Sequence, residues 1–265
     1  MRIMTTSSSR IPRTGTQSIE RAATLLREIA SRGQLGWGLR DLAHNCELDA
    51  ATVHRMLKCL VAERLVQQRS SDSRYFIGPL NFELGLSVPN RKTLMDASLP
   101  ALRGVLRVLP KTSAVVFLRS GDDCVCIGRG GHVAYTRAQS ISQVGQRFVL
   151  LSKAAGIAVV GAMRADLARA VIARNRKRLA PFGAAHLARV DELVKSTQQK
   201  GYTLSEGVVW HGVNSIAMVF GPQGDPVGSV TVSASSSDQD ASTMLLLLPE
   251  LRLAAQALGA HTEVF

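Results

Sequence analysis

Two short helical segments separated by a turn constrain the fold of this chain more than any other feature. The second segment follows Asp49, whose carboxylate can accept hydrogen bonds from the free N–H groups that begin a helix. Val53, Leu57 and Val61 are among the apolar residues that recur there at three- and four-residue steps, which predicts one buried face. The first segment covers residues 39–44. Two short helices joined by a turn of about four residues are typical of a helix-turn-helix, whose second helix enters the major groove of DNA.

The opposite face of the second helix carries small, polar and basic residues. Ala50 and Ala51 allow close approach to base edges, and Thr52 and His54 can hydrogen-bond to bases or phosphates. Basic side chains in the same region can neutralise phosphate charges. The basic candidates are Arg55 and Lys58 on this helix and Arg40 on the preceding one.

A polar turn at residues 70–73 separates two strand-like segments, residues 65–69 and 74–78, and predicts a hairpin. Because a hairpin in this place forms a wing, we expect Arg69 and Arg74 at its tip to reach a phosphate or the minor groove. The alternative is a three-helix bundle with a solvated hairpin.

A further amphipathic helix is predicted ahead of the pair, at residues 18–31. Ser18 is its expected N-cap, and Ile19 and Ile29 are on its apolar face. Gly33 follows the end of this helix, where a left-handed backbone conformation is favourable. Both ends therefore carry residues expected at helix boundaries.

The composition allows two folded domains and favours an anionic partner. Of the 265 residues, 46% are apolar, which is enough to bury two cores. The formal charge is +12, so nucleic acid is attracted at modest salt concentration. Both halves of the chain share the excess of basic residues, so charge alone does not locate a binding site.

The four cysteines, Cys46, Cys59, Cys124 and Cys126, lack the spacing of a disulfide framework or a zinc site. Cys124 and Cys126 would face the same side of a strand as small buried apolar residues. The N-terminal residues are polar and do not resemble a secretory signal, and the apolar stretches are too short to cross a bilayer. We expect a cytoplasmic protein without metal, cofactor or membrane partner.

Strand-like hairpins alternate with helices in the second half, which predicts an α+β architecture. Ala154-Ala155-Gly156 opens one of these helices and would present N–H groups to a small anion. Ser215, Thr231 and Ser233 could add hydroxyl contacts, although close packing and ordinary strand hydroxyls explain these residues equally well. The predicted strands are residues 112–118, 124–128, 215–220 and 227–234, and the predicted helices are residues 154–163, 185–200 and 243–258.

Residues 17–85 resemble the DNA-binding domain of the IclR family of transcription regulators. The residues that carry the resemblance are Gln-Ser-Ile-Glu-Arg-Ala from residue 17, Leu-Arg-Asp-Leu-Ala from residue 39, Ala-Thr-Val-His-Arg-Met-Leu from residue 51, and Tyr-Phe-Ile-Gly from residue 75. The resemblance implies a winged helix-turn-helix that binds an operator.

The second half resembles the effector-binding domain of the same family, which implies a GAF-like fold. The resemblance rests on residues 144–158, 201–206, 212–217 and 226–233. Val149, Leu151, Lys153 and Ile157 depart from the commonest family pattern, and Ser205 and Ser215 stand where other members often have Asp and Cys, so a different ligand is expected. By resemblance, the effector would contact Ala154, Ala155, Ser205, Ser215, Thr231 and Ser233.

We therefore expect an N-terminal winged helix-turn-helix domain plus a C-terminal GAF-like effector-binding domain. Residues 1–16 would form a disordered arm in which Arg10 and Arg13 reach the minor groove. The DNA-binding domain would cover residues 17–79, and the effector-binding domain would cover residues 98–265. Between them, residues 80–97 would form a linker helix with a break at Pro89-Asn90.

The expected function is sequence-specific regulation of transcription. A homodimer or homotetramer would bind a double-stranded DNA operator, and a small-molecule effector, an organic acid or aromatic catabolite, would change its affinity. Two alternatives remain open: an enzyme fused to a DNA-binding module, and a non-specific DNA-binding protein. The chain lacks the common hydrolase, metallopeptidase and phosphate-loop motifs, so we expect no enzyme. The glycines of residues 128–131 lack dinucleotide-site spacing, and we expect a turn there.

Overall fold

The computed structural model describes residues 16–88, 91–131, 142–207 and 209–262, without the side chains of residues 91–93. The chain divides between Ser87 and Val88 into two compact units, called here the N-terminal and C-terminal units. Arg10 and Arg13 of the predicted arm and the predicted break at Pro89-Asn90 lie outside the described residues.

The described part of the N-terminal unit consists of four helices and one hairpin. A short 3-10 turn at Gly33–Leu35 follows the first helix, and the predicted left-handed Gly33 is confirmed. The helices are α1 (Gln17–Ser31), α2 (Leu39–Asn45), α3 (Ala50–Ala62) and α4 (Pro79–Leu86), and the strands are β1 (Val66–Gln68) and β2 (Tyr75–Ile77).

Helix α3 forms as its sequence predicts. The carboxylate of Asp49 accepts a hydrogen bond from the backbone N–H of Thr52, so the predicted N-cap is confirmed. Val53, Leu57 and Leu60 are buried in the core of the unit. Val61 was predicted to share this face, but its side chain is 37% exposed. The buried face is therefore narrower than the apolar pattern indicates.

Two predictions for α1 were wrong. The helix begins at Gln17, and no side chain caps its first turn, so Ser18 is not the N-cap. The buried residues are Leu25 and Ile29, whereas Ile19 is 69% exposed. Ile19 precedes Leu25 by six residues, which at 3.6 residues per turn places it about 120° away around the helix.

The hairpin is part of the core of the N-terminal unit. Its strands pair antiparallel, with Val66 opposite Ile77, and they are shorter than predicted. Val66 and Tyr75 are buried together with Trp37, whose backbone exchanges two hydrogen bonds with that of Tyr75. The alternative of a bundle with a solvated hairpin is therefore wrong, and the winged helix-turn-helix is confirmed.

The C-terminal unit is built on an antiparallel sheet of six strands in the order β5-β4-β3-β8-β7-β6. Both predicted hairpins are present as β3–β4 and β7–β8. The strands are β3 (Ser113–Ser120), β4 (Asp123–Gly131), β5 (Arg147–Val149), β6 (Thr203–Glu206), β7 (Val213–Phe220) and β8 (Gly228–Ser235).

Helices cover both faces of this sheet, and each face has its own apolar core. Helices α5 (Arg91–Leu106) and α10 (Leu248–Gly259) pack on one face, against residues such as Val230 and Val232 of β8. Helices α6 (Ala154–Gly161), α7 (Ala165–Leu179) and α8 (Ala184–Lys200) pack on the other. This arrangement confirms the α+β class.

The glycines at residues 128–131 continue strand β4 and do not form the predicted turn. Helix α5 lies so close to β4 that a Cβ atom at Gly128 would stand 2.5 Å from Oγ of Ser98. These glycines therefore make room for a helix. Cys124 and Cys126 of the same strand are buried on one side of the sheet, as predicted.

The C-terminal helical segment is divided, contrary to the single helix predicted for residues 243–258. A short helix α9 (Ala241–Met244) and a 3-10 turn (Leu245–Leu247) precede α10. Pro249 lies in the first turn of α10, where its missing N–H costs nothing, and thus marks a new helix start. Within the described residues, no helix is long and apolar enough to span a membrane.

Candidate functional site

The predicted DNA-contacting residues lie at the surface of the N-terminal unit. Thr52 is half-buried at the first turn of α3, and a guanidinium nitrogen of Arg55 donates a hydrogen bond to its hydroxyl oxygen at 3.4 Å. The hydrogen bonds from Thr52 hold the pKa of Asp49 below its ordinary value. The exposed candidates are Arg40 of α2 and Ala50, Ala51, His54, Arg55 and Lys58 of α3.

The two arginines of the wing are held in place by contacts within the N-terminal unit. Arg69 donates two hydrogen bonds to the carboxylate of Asp72, at 2.9 and 2.5 Å, and its guanidinium lies over the ring of Phe76. The hydrogen bond from Arg69 lowers the pKa of Asp72 to about 2. Arg74 donates to the carbonyl oxygens of Leu35 and Gly36. A phosphate would therefore compete with Asp72 for Arg69.

All six predicted effector-binding residues line one cavity in the C-terminal unit. The centres of water-sized molecules can occupy about 50 Å³ of this cavity, which leaves room for a few waters or one small ligand. The first turn of α6 forms one wall, and strands β6, β7 and β8 form another. The six residues are Ala154, Ala155, Ser205, Ser215, Thr231 and Ser233.

The sheet supplies a row of hydroxyl groups to this cavity, of which those of Ser205 and Thr231 belong to buried residues. The hydroxyls of Ser215 and Ser233 hydrogen-bond each other at 2.8 Å across β7 and β8, and Ser205 accepts a hydrogen bond from the N–H of Val209. Thr231 is 6% exposed, and its hydroxyl has no partner among the described residues. Buried polar atoms normally have partners, so Thr231 is available to a ligand.

Sequence reasoning missed the most unusual residue of the cavity, Lys153. Its ammonium nitrogen donates to the hydroxyl of Ser142 at 3.2 Å and lies 3.9 Å from the ring centre of Phe148 and 5.4 Å from that of Trp210. Burial lowers the pKa of Lys153 to about 8. A lysine next to the apolar run of α6 was the signal in the sequence.

Other cavity residues were missed because they lie far away in the sequence. The loop between β6 and β7 contributes Trp210, whose indole nitrogen is buried and has no described partner. The remaining lining residues are Ser113, Val115, Phe117, Arg129, Ser142, Val209 and Val213.

Cys124 and Cys126 are buried and are not among the residues that line the cavity. Burial raises the pKa of Cys124 to about 12 and that of Cys126 to about 11, so both thiols are protonated near neutral pH. Across residues 16–88, 91–131, 142–207 and 209–262, no cluster of three His, Cys, Asp or Glu side chains could hold a metal ion.

Comparison with protein families assigns both units. The model of the IclR helix-turn-helix domain matches residues 18–70, and that of the bacterial transcriptional regulator IclR C-terminal domain matches residues 88–260. The chain belongs to the IclR family. It is thus a transcriptional regulator with a helix-turn-helix DNA-binding domain and an effector-binding domain, and not an enzyme.

Individual relatives agree with the family over most of the chain. The HTH-type transcriptional repressor AllR of Escherichia coli is 25% identical over 227 residues, 84% of this chain and 82% of AllR. The glycerol operon regulatory protein of Streptomyces griseus is 28% identical over 203 residues, 76% of this chain and 77% of that protein.

Solved structures share the fold of this IclR-family chain. An IclR family regulator from Brucella abortus has a TM-score of 0.74 and 18% identity, and the match covers 97% of this chain and 96% of that one. An IclR homolog from Microbacterium hydrocarbonoxydans, complexed with 4-hydroxybenzoate, has a TM-score of 0.64 and 15% identity, with coverage of 92% and 98%.

Proposed function

We propose that this IclR-family regulator binds a specific operator through the exposed face of α3 and the adjacent wing. The observation that carries the proposal is the division of α3 into two faces. Val53 and Leu57 are buried in the core, while His54, Arg55 and Lys58 are exposed. Residues 17–79 would form the DNA-binding domain, with residues 80–97 as the linker.

The effector of this regulator binds in the cavity of the C-terminal unit. Support comes from six residues that the family resemblance selected from four separate segments of the sequence and that line one cavity. An IclR homolog of the same fold has been solved with 4-hydroxybenzoate, an aromatic acid. An organic acid or aromatic catabolite is therefore the class of effector proposed for this chain.

The regulator acts as a homodimer or homotetramer. Helix α4 supports this proposal, because Phe82, Leu84 and Leu86 expose more than half of their side-chain surface, and exposed apolar patches mark interaction sites. Two recognition helices about one turn of DNA apart, ~34 Å, would then contact a near-palindromic operator. Effector binding would shift DNA affinity by a coupling of roughly 1–3 kcal/mol.

Fluorescence anisotropy with labelled DNA from upstream of the chain's own gene tests this function. We expect binding that survives an excess of unrelated competitor DNA at moderate salt and that changes when a cavity ligand is added. Binding that competitor DNA abolishes completely would favour the non-specific DNA-binding alternative.

A further inference from the structure

Lys153 is a buried cation without a counter-ion. Its side chain is 7% exposed, and within the part of the chain that the structure describes no carboxylate lies within ion-pair distance of its ammonium nitrogen. A buried charge is costly unless it is paired, and proteins usually supply the partner themselves. Here the expected partner is not found among the described residues.

The surroundings of Lys153 satisfy the ammonium group in part. Of its three N–H donors, one is directed to Ser142, and the faces of Phe148 and Trp210 provide favourable cation–π contacts. Two donors are left for the cavity that Lys153 lines. An anionic ligand in the cavity would complete the pairing.

The other polar groups of the cavity also match an anion. Lys153 is the N-cap residue of α6, and no side chain caps the N–H groups of that helix, which are directed to its N-terminal end. The Thr231 hydroxyl and the Trp210 indole N–H line the same cavity and are buried without described partners. No described lining residue is acidic, whereas Arg129 adds a second cation.

The charge of the cavity limits the anion. Of the two cations that line the cavity, Lys153 is buried and Arg129 is half-buried, so one carboxylate finds a buried partner and a second negative charge does not.

We infer that the ligand of this cavity is a monocarboxylate whose carboxylate pairs with Lys153 at the start of α6. A hydroxyl or carbonyl oxygen on the neighbouring carbon would accept hydrogen bonds from Thr231 or Trp210. The inference rests on the proposed effector site and adds the charge of the ligand and the residue that pairs with it. Lys153 is then the residue that selects acids over neutral compounds.

Isothermal titration calorimetry on the full chain at pH 7, without DNA, tests the inference. The probes are acetate, propionate, lactate, pyruvate and benzoate, their carboxamides, and inorganic phosphate as the control for charge. We expect at least one of these acids to bind, with its amide about tenfold weaker or more, because the amide lacks the charge that pairs with Lys153. Phosphate should bind more weakly than that acid.

Two variants separate Lys153 from the second cation. Lys153→Met removes the buried charge at similar side-chain length and should weaken the acid by about tenfold or more, whereas Arg129→Met should have a smaller effect. The acid and amide comparison needs only the unmodified chain, so it stands even if Lys153→Met does not fold.

Several results would overturn the inference: equal affinity for an acid and its amide, unchanged affinity in a folded Lys153→Met variant, stronger binding of phosphate than of any of these acids, or no binding by any of them. Failure of the proposed function would give a different experimental result. In that case acids bind as expected in calorimetry, but the anisotropy of the DNA complex does not respond to them.

Discussion

Asp49 accepts a hydrogen bond of 2.7 Å from the backbone N–H of Thr52 at the first turn of α3, where the residues proposed to face DNA begin. Asp49→Ala removes the acceptor and should lower the thermal midpoint of unfolding of the N-terminal unit. Asp49→Asn is the matched control, because its amide oxygen can still accept the bond. Equal midpoints for Asp49→Ala and Asp49→Asn, measured by circular dichroism, would show that the cap does not stabilise α3.

A methyl group at Gly228 should destabilise the C-terminal unit. A Cβ atom there would collide with the carbonyl oxygen of Phe117 on the neighbouring strand and with the ring of Phe220. We expect Gly228→Ala to lower the free energy of unfolding by about 1–3 kcal/mol, the usual cost of overpacking. Gly104→Ala is the control, because its nearest neighbour is the flexible side chain of Glu250. Equal stability of both variants in urea denaturation would contradict the close packing of Gly228 in β8 against Phe117 and Phe220.

The stability of the chain should depend on the protonation of Lys153. Its pKa is about 8 in the folded chain against an ordinary value of 10.5, because burial disfavours the ammonium form. Below about pH 8 the folded and the unfolded chain both carry the proton on Lys153, and the folded chain bears the full free-energy cost of burying the charge. Between pH 8 and 10.5 the folded chain loses its proton first, so the free energy of unfolding rises with pH. The rise from this group is on the order of 3 kcal/mol.

Urea denaturation of the unmodified chain and of Lys153→Met from pH 7 to 10.5 isolates this contribution. The groups that face Lys153 are the thiols of Cys124 and Cys126, with Arg129 in the same cavity, and their burial-raised pKa values keep both thiols neutral over most of this range. The difference between the two proteins should shrink as the pH rises. A difference that is constant with pH would mean that Lys153 is not a buried cation.

The apolar surface of α4 gives a separate prediction about assembly. Phe82→Lys places a charge in the proposed interface. It should raise the dissociation constant of the dimer or tetramer by at least about tenfold and so favour smaller species. Leu253→Lys on α10 is the control, because Leu253 is similarly exposed, at 57% against 67%. Analytical ultracentrifugation that shows the same assembly for both variants would exclude α4 from the interface.

The helix-turn-helix was predictable from the sequence because local signals agree there. Asp49 caps α3, and Val53 and Leu57 mark its buried face at a helical period. The error at Ile19 has a geometric cause. Ile19 lies near the start of the helix and fits the apolar period only approximately, whereas Leu25 is the residue that packs in the core. The local pattern predicts the presence of a helix well, but it predicts less well which residues of the helix are buried.

The C-terminal unit shows what local patterns do not contain. Helix α7 was missed because two of its four buried residues, Ala168 and Asn175, are small or polar and give little periodic contrast beside Val171 and Leu179. The cavity residues were predicted from family resemblance, but Lys153 was interpreted as a departure from the family. Its importance depends on distant residues such as Trp210 that enclose it, and their proximity is a property of the fold.

The central claim, that the exposed face of α3 binds the operator, is tested most directly by fluorescence anisotropy on two charge-matched variants. Arg55→Ala removes a cation from this face, and Arg252→Ala removes one from the exposed surface of α10. The account predicts operator binding about tenfold weaker for Arg55→Ala and unchanged for Arg252→Ala. Equal affinity of the two variants for the operator would contradict it.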